Sequence, residues 1–214
     1  MKNDTPLIYL VDDDEAVRDS LGMLFNSIGL KHETYSSALE FLQHYEPTRH
    51  SCLVADIRMP GLSGLELQQR LNERHAEIPI IFITGHGDVP MAVTAMKSGA
   101  ADFIQKPFRD QDLIDRIHKA LGRDRERRVS RAEEDAIRAR VALLTPRESE
   151  VMQRVVRGQA NKVIAMDLGV SQRTVELHRA RVMRKLKMRS LAELVHAVDR
   201  ISAGAVSRGT AVSQ

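Results

Sequence analysis

SCLVADIRMPGLSGLELQQRLNERHAEIPIIFITGHGDVPMAVTAMKSGAADFIQKPF, residues 51–108, alternates two kinds of segment. Cys52–Ala55, Pro79–Thr84 and Asp102–Gln105 are short apolar runs of strand character, whereas Gly64–Arg74 and Pro90–Ser98 carry apolar residues at helical spacing. The alternation extends both ways: strands at Leu7–Val11 and His32–Tyr35, helices at Glu15–Ser27, Ser37–Tyr45 and Gln111–Leu121, with Ser63 and Asp110 available as N-caps. Repeated βα units predict a parallel sheet covered on both faces, because right-handed crossovers return each strand beside an earlier one. The expected strand order is 2-1-3-4-5, with ligands bound at the carboxyl ends of the strands around the switch point between strands 1 and 3.

That edge is where the chemistry-bearing residues fall. Asp12, Asp13 and Asp14 follow the first strand and Asp56 follows the third, so neighbouring strands deliver at least three carboxylates to one crevice. Their mutual repulsion raises carboxyl pKa values unless a cation compensates, and hard oxygen donors with open positions suit Mg²⁺. Thr84 and Lys106 end strands 4 and 5 at the same edge. A carboxylate can attack a phosphoryl donor to give an acyl phosphate, provided the equatorial oxygens are neutralised and hydrogen-bonded. Asp56 is then nucleophile and metal ligand, Lys106 supplies charge and Thr84 a hydroxyl donor. Asp14 serves better as a cap for the helix at Glu15, and Pro107 biases Lys106 towards extended backbone.

The chain of 214 residues exceeds the usual single-domain size, and its net charge of +3 conceals an asymmetry. Residues 1–121 carry net −6 and residues 122–214 net +9, which points to a polyanionic partner for the second part. Residues 122–140, GRDRERRVSRAEEDAIRAR, hold 7 basic and 5 acidic side chains with hardly an apolar stripe and are expected to form a charged, solvated helical linker, a helix extending from the last receiver helix. Residues 141–204 are expected to form an all-α domain with helices at Pro146–Val156, Asn161–Leu168, Gln172–Leu186 and Leu191–Ile201. The first carries a Thr145/Glu148 capping box, and a frayed tail begins at Ser202, with 205–214 disordered. Asn161–Leu168, the turn Gly169-Val170-Ser171 and Gln172–Leu186 have the form of a helix-turn-helix. In its second helix Val175, Val182 and Leu186 form the buried stripe, and Arg173, Glu176, Leu177, Ala180, Arg181 and Arg184 face outwards. Asn161 and Lys162 sit at a helix N-terminus suited to a phosphate. The single Cys52 lies in an apolar run and excludes a disulfide framework. No segment approaches the apolar length of a membrane span or signal sequence, and the expected location is the cytoplasm.

VDDD, the Asp56 of ADIRMPGLSG, the Thr84 of FITGHGD and the Lys106-Pro107 of FIQKPF together resemble the receiver domain of two-component response regulators over residues 6–121, a flavodoxin-like (βα)5 fold. The loop 85–90 is similar to the FixJ type in particular. The run from LTPRESEV to SLAELV resembles the four-helix LuxR/FixJ output domain. The resemblance implies Mg²⁺ held by Asp13 and Asp56 with Asp12 nearby and the Arg58 carbonyl as a third protein ligand, and a cis Lys106–Pro107 bond. It further implies a Thr84 hydroxyl that moves towards the phosphoryl group while Phe103 turns inward. Phe103 is equally explained as a plain core aromatic. Arg58 and His86 are implied modulators of phosphate lifetime, His86 being equally explained as a plain surface residue, and Gly85 leaves access to Asp56 open.

For the output domain the resemblance implies phosphate contacts from Lys162, Thr174 and His178 and dimerisation through the last helix. The implied partners are a sensor histidine kinase, double-stranded DNA, RNA polymerase and, on phosphorylation, a second copy of the chain. The implied protein is not an enzyme beyond its own phosphorylation and slow dephosphorylation. Two other readings stay open. One is a phosphorylation-independent DNA-binding protein whose receiver is an interaction module. The other is a phosphatase using Asp12-x-Asp14, against which Ala16 and the missing cap insertion count.

Overall fold

The computed structural model describes residues 5–85 and 89–209. The N-terminal part consists of β1 (Leu7–Val11), α1 (Glu15–Ser27), β2 (Lys31–Tyr35), α2 (Ala38–His44), β3 (Ser51–Asp56), α3 (Gly64–Glu73), β4 (Ile80–Thr84), α4 (Val89–Lys97), β5 (Asp102–Gln105) and the long α5 (Asp110–Val141). The five strands form one parallel sheet in the order β2-β1-β3-β4-β5. Consecutive residues of a strand face opposite sides, so the central strands are apolar on both. Leu7, Tyr9, Val11, Leu53, Ala55, Ile80 and Phe82 pack with Phe41 of α2, Leu67 and Leu71 of α3 and Ala95 of α4. Ile8, Leu10, Cys52, Val54, Ile81 and Ile83 pack on the other face with Leu21 and Phe25 of α1 and with Leu113, Ile117 and Leu121 of α5.

Local signals set the helix boundaries. Ser63 and Glu66 form a reciprocal capping box at α3, and Asp14 accepts the Ala16 amide at the start of α1. Asp110, offered by the sequence as an N-cap, instead lies inside α5. It is the first helical residue, contributing a negative charge at the positive end of the helix dipole. Gly64 is required by closeness: a Cβ there would collide with the Asp56 carbonyl oxygen and come within 2.9 Å of Phe82.

The chain divides into two compact units, residues 1–127 and 128–214, and the division falls inside α5. The charged segment 122–140 is helical and mostly exposed, and it continues the last receiver helix without a break. Its end packs in the second unit, where Ile137 is buried and Val141 joins the core. That unit continues with α6 (Pro146–Val156), α7 (Asn161–Leu168), α8 (Gln172–Leu186) and α9 (Leu191–Gly209). Val151, Val155, Ile164, Val175, Val182, Leu186 and Leu194 form its core. The expected fraying from Ser202 is replaced by helix as far as Gly209, and residues 210–214 lie outside the described residues. Among the described residues no helix is long and apolar enough to cross a membrane.

Candidate functional site

Strand register brings the acidic cluster together. Val11 is opposite Ala55 and Asp56 opposite Ile83, while Thr84 pairs with Gln105, so Asp12, Asp56, Thr84 and Lys106 all emerge at one edge. Asp12 is almost fully buried, with 2% of its side chain exposed. Asp56 retains 14% and Lys106 26%. The Lys106 Nζ donates to Asp12 Oδ2 at 3.0 Å and lies 3.8 Å from Asp56 Oδ2. The Lys106 amide donates to the Thr84 carbonyl at 2.7 Å, and the peptide bond to Pro107 is cis.

Each carboxylate is also held by backbone. Asp12 Oδ1 accepts the Asp14 amide at 3.0 Å, and the Arg18 guanidinium donates to the Asp12 carbonyl at 2.8 Å. Asp56 Oδ1 accepts the Arg58 amide at 3.3 Å. Burial pushes the Asp56 carboxyl above its ordinary range. Lys106 pulls it down, Asp12 pushes it up again, and the Arg58 and Ile57 amides lower it. Oxygen atoms of Asp12, Asp13 and Asp56 all lie within 4.8 Å of one another. An all-oxygen carboxylate set at that spacing, with one ammonium against two of its charges, fits a small divalent cation. Asp14, by contrast, is exposed and occupied as the α1 cap. Thr84 is buried at the pocket, and Phe103 is half-buried against the α2–α4 side of the core. Arg58 is exposed, a Cβ on Gly85 would meet nothing within 4 Å, and His86 lies outside the described residues.

In the second unit α7 ends at Gly169, whose φ of 64° is left-handed and costs glycine nothing. Ser171 then caps α8, accepting the Thr174 amide at 3.1 Å. Val175, Val182 and Leu186 are buried, as the spacing predicts. Arg173, Glu176, Leu177, Ala180, Arg181 and Arg184 are exposed along one helix, whereas Thr174 and His178 are half-buried beside them. α7 begins after Ala160 with no side-chain cap, beside exposed Lys162.

Four polar ties that sequence reasoning missed hold these helices. The Arg179 guanidinium donates to Asn161 Oδ1 at 2.5 Å, Arg154 pairs with Asp167 at 2.5 Å, Arg147 donates to the Leu168 carbonyl at 2.6 Å, and Lys185 pairs with buried Glu148 at 2.6 Å. Asn161 thus spends its side-chain oxygen on α8. The Arg179 signal was present in the sequence: it lies between Val175 and Val182 on the inward stripe, where a guanidinium must find an acceptor.

A doubly wound parallel sheet with this pocket, followed by a helix-turn-helix unit, defines a receiver joined to a DNA-binding module. The family model described as response regulator receiver domain matches residues 8–118, and that described as bacterial regulatory proteins, luxR family, matches 142–198. The chain belongs to the two-component response regulators of the FixJ/LuxR type, which bind DNA. It is 48% identical over 189 residues to nodulation protein W of Bradyrhizobium diazoefficiens, covering 88% of this chain and 83% of that one. It is 49% identical over 188 residues to the transcriptional regulatory protein FixJ of Azorhizobium caulinodans, covering 88% and 89%. The solved structure of the response regulator StyR matches with a TM-score of 0.82 at 47% identity, over 92% of this chain and 99% of that one. Full-length FixJ from B. japonicum matches at 0.57 and 44%, over 92% and 97%.

Proposed function

We propose that this chain is a transcription regulator switched by phosphorylation of Asp56. The observation that carries the reading is the convergence of Lys106 on Asp12 and Asp56 beside buried Thr84. An Asp56 carboxylate oxygen attacks the phosphorus of a phosphohistidine on a sensor histidine kinase. The P–N bond breaks as the acyl phosphate forms, and the departing imidazole takes up a proton. Lys106 neutralises the phosphoryl oxygens and Thr84 donates a hydrogen bond to one of them. Asp13, Asp56 and the Arg58 carbonyl, with Asp12 alongside, hold Mg²⁺, which when bound supplies further charge neutralisation. The chain is a phosphoacceptor rather than a turnover enzyme.

As Thr84 moves to the phosphoryl group, Phe103 fills the space it leaves, and the altered β4–β5 side favours a receiver homodimer. Two tethered output units then engage paired half-sites, so binding tightens through effective concentration. On DNA, Arg173, Glu176, Leu177, Ala180, Arg181 and Arg184 face the major groove. Lys162, Thr174, His178 and the free amide of Asn161 face phosphates, an assignment favoured by the uncapped start of α7. The chain acts in the cytoplasm at promoters, with RNA polymerase as the eventual partner.

Light scattering on a sizing column, with acetyl phosphate and Mg²⁺, tests the switch. A dimer that forms in the wild-type chain and not in Asp56→Asn is the expected result. A wild-type chain that stays monomeric with phosphate demonstrably attached overturns the dimerisation step, and phosphorylation of Asp56→Asn overturns the assigned acceptor.

A further inference from the structure

Residues 128–141 of α5 lie in the DNA-binding unit and touch the ends of its helices. The Arg138 guanidinium donates to the Ile201 carbonyl of α9 at 2.7 Å, and Arg200 of α9 donates back to Ser130 Oγ at 3.2 Å and Glu133 at 3.1 Å. Half-buried Arg140 reaches α8, where its Nη1 donates at 3.3 Å to the carbonyl of Leu186, the final helical residue. The last carbonyls of a helix have no intrahelical partner and form the negative end of its dipole, so a guanidinium there satisfies a hydrogen bond and a charge at once. A second tie runs the other way from Lys185 of α8, whose Nζ donates to the Leu143 carbonyl at 3.1 Å and to Glu148 at 2.6 Å. The last turn of α8 is therefore tied twice to the chain at 140–143.

We propose that Arg140 is a positioning residue for DNA readout, fixing the pitch of α8 through the Leu186 carbonyl without touching DNA itself. It precedes the residues matched by the luxR-family model, 142–198, so the functional DNA-binding unit begins inside α5. Base-edge hydrogen bonds need their donors within a fraction of an ångström, whereas phosphate attraction tolerates a tilted helix. Releasing the end of α8 therefore costs sequence-specific binding and spares non-specific binding. The inference rests on α8 being the DNA-reading helix.

The test uses the full chain, phosphorylated with acetyl phosphate, a duplex that the wild-type chain selects from a random-sequence pool, and an unselected random duplex. Arg140→Ala is expected to weaken binding to the selected duplex roughly tenfold, the scale of one charge-assisted hydrogen bond. Affinity for the random duplex and the slope of log affinity against log salt stay at wild-type values. Arg140→Lys, which can still donate to the carbonyl, recovers most of the loss. A slope reduced by about 0.9 marks a direct phosphate contact and overturns the proposal. Unchanged affinity for the selected duplex, or equal losses on both duplexes, overturns it too. Where the alanine variant does not fold, Arg140→Gln is read by the same criteria. A wild-type chain that enriches no sequence overturns the reading of α8 itself, a failure visible before any variant is made.

Discussion

Glu148→Gln isolates the ion pair that joins α6 to α8. The Glu148 side chain is 4% exposed, 2.6 Å from Lys185 Nζ, and accepts the Thr145 amide at 2.9 Å. The Lys185 hydrogen bond, then the Thr145 amide, pull its carboxyl down from 4.5 to about 2 against the opposing effect of burial. A depression of that size is worth about 3 kcal/mol of stability at neutral pH. Its sign follows from proton uptake: below about pH 4.5 the unfolded chain binds a proton at Glu148 that the folded chain still refuses. Roughly 1 kcal/mol of the contribution has gone by pH 4 and roughly 2 kcal/mol by pH 3. Glutamine keeps the shape and the capping acceptor but holds no charge at any pH. The variant should be about 2–3 kcal/mol less stable at pH 7, and the gap should narrow to roughly 1 kcal/mol or less at pH 3. Amide hydrogen exchange within α6 and α8 reads the second unit separately from the receiver. A gap that stays constant from pH 7 to pH 3 refutes the assignment of this stability to the Glu148 charge.

Two further substitutions test local geometry. Gly64→Ala places a Cβ against the Asp56 carbonyl and Phe82, and is expected to destabilise the receiver by about 1–3 kcal/mol, seen as a lower Tm of that unit; a neutral result would show that α3 can withdraw freely from β3. Lys187 closes α8 at a φ of 58°, so Lys187→Gly is expected to raise the stability of the second unit by about 0.5–1 kcal/mol in urea titration, and a loss of stability would refute strain at that cap.

The receiver was legible because its signals are local. Short continuous apolar runs marked the strands to within a residue or so, and the parallel register then carried Asp12, Asp56, Thr84 and Lys106 to one edge. Lys106 lying nearer Asp12 than Asp56 was not legible, since that depends on the reach of a side chain across two strands. The helical character of 122–140 was legible in its charges, but the packing of its end was not: Ile137 and Val141 gain meaning only from the output core they meet. In the helix-turn-helix, Gly169, Ser171 and the Thr145/Glu148 box announced the helix ends. The ties Arg179–Asn161, Lys185–Glu148 and Arg154–Asp167 join residues far apart in sequence and appear only when the helices pack.

The sheet also disposes of the chain's only thiol. Cys52 is fully buried between β-strand neighbours, and burial pushes its thiol well above the ordinary range, so almost no thiolate forms at neutral pH. A cysteine introduced at an exposed position such as Met23 or Val129 would therefore be the one site open to maleimide reagents. Spin labels or fluorophore pairs can be attached to the native background, and distances compared with and without acetyl phosphate and Mg²⁺, without first mutating the protein's own cysteine.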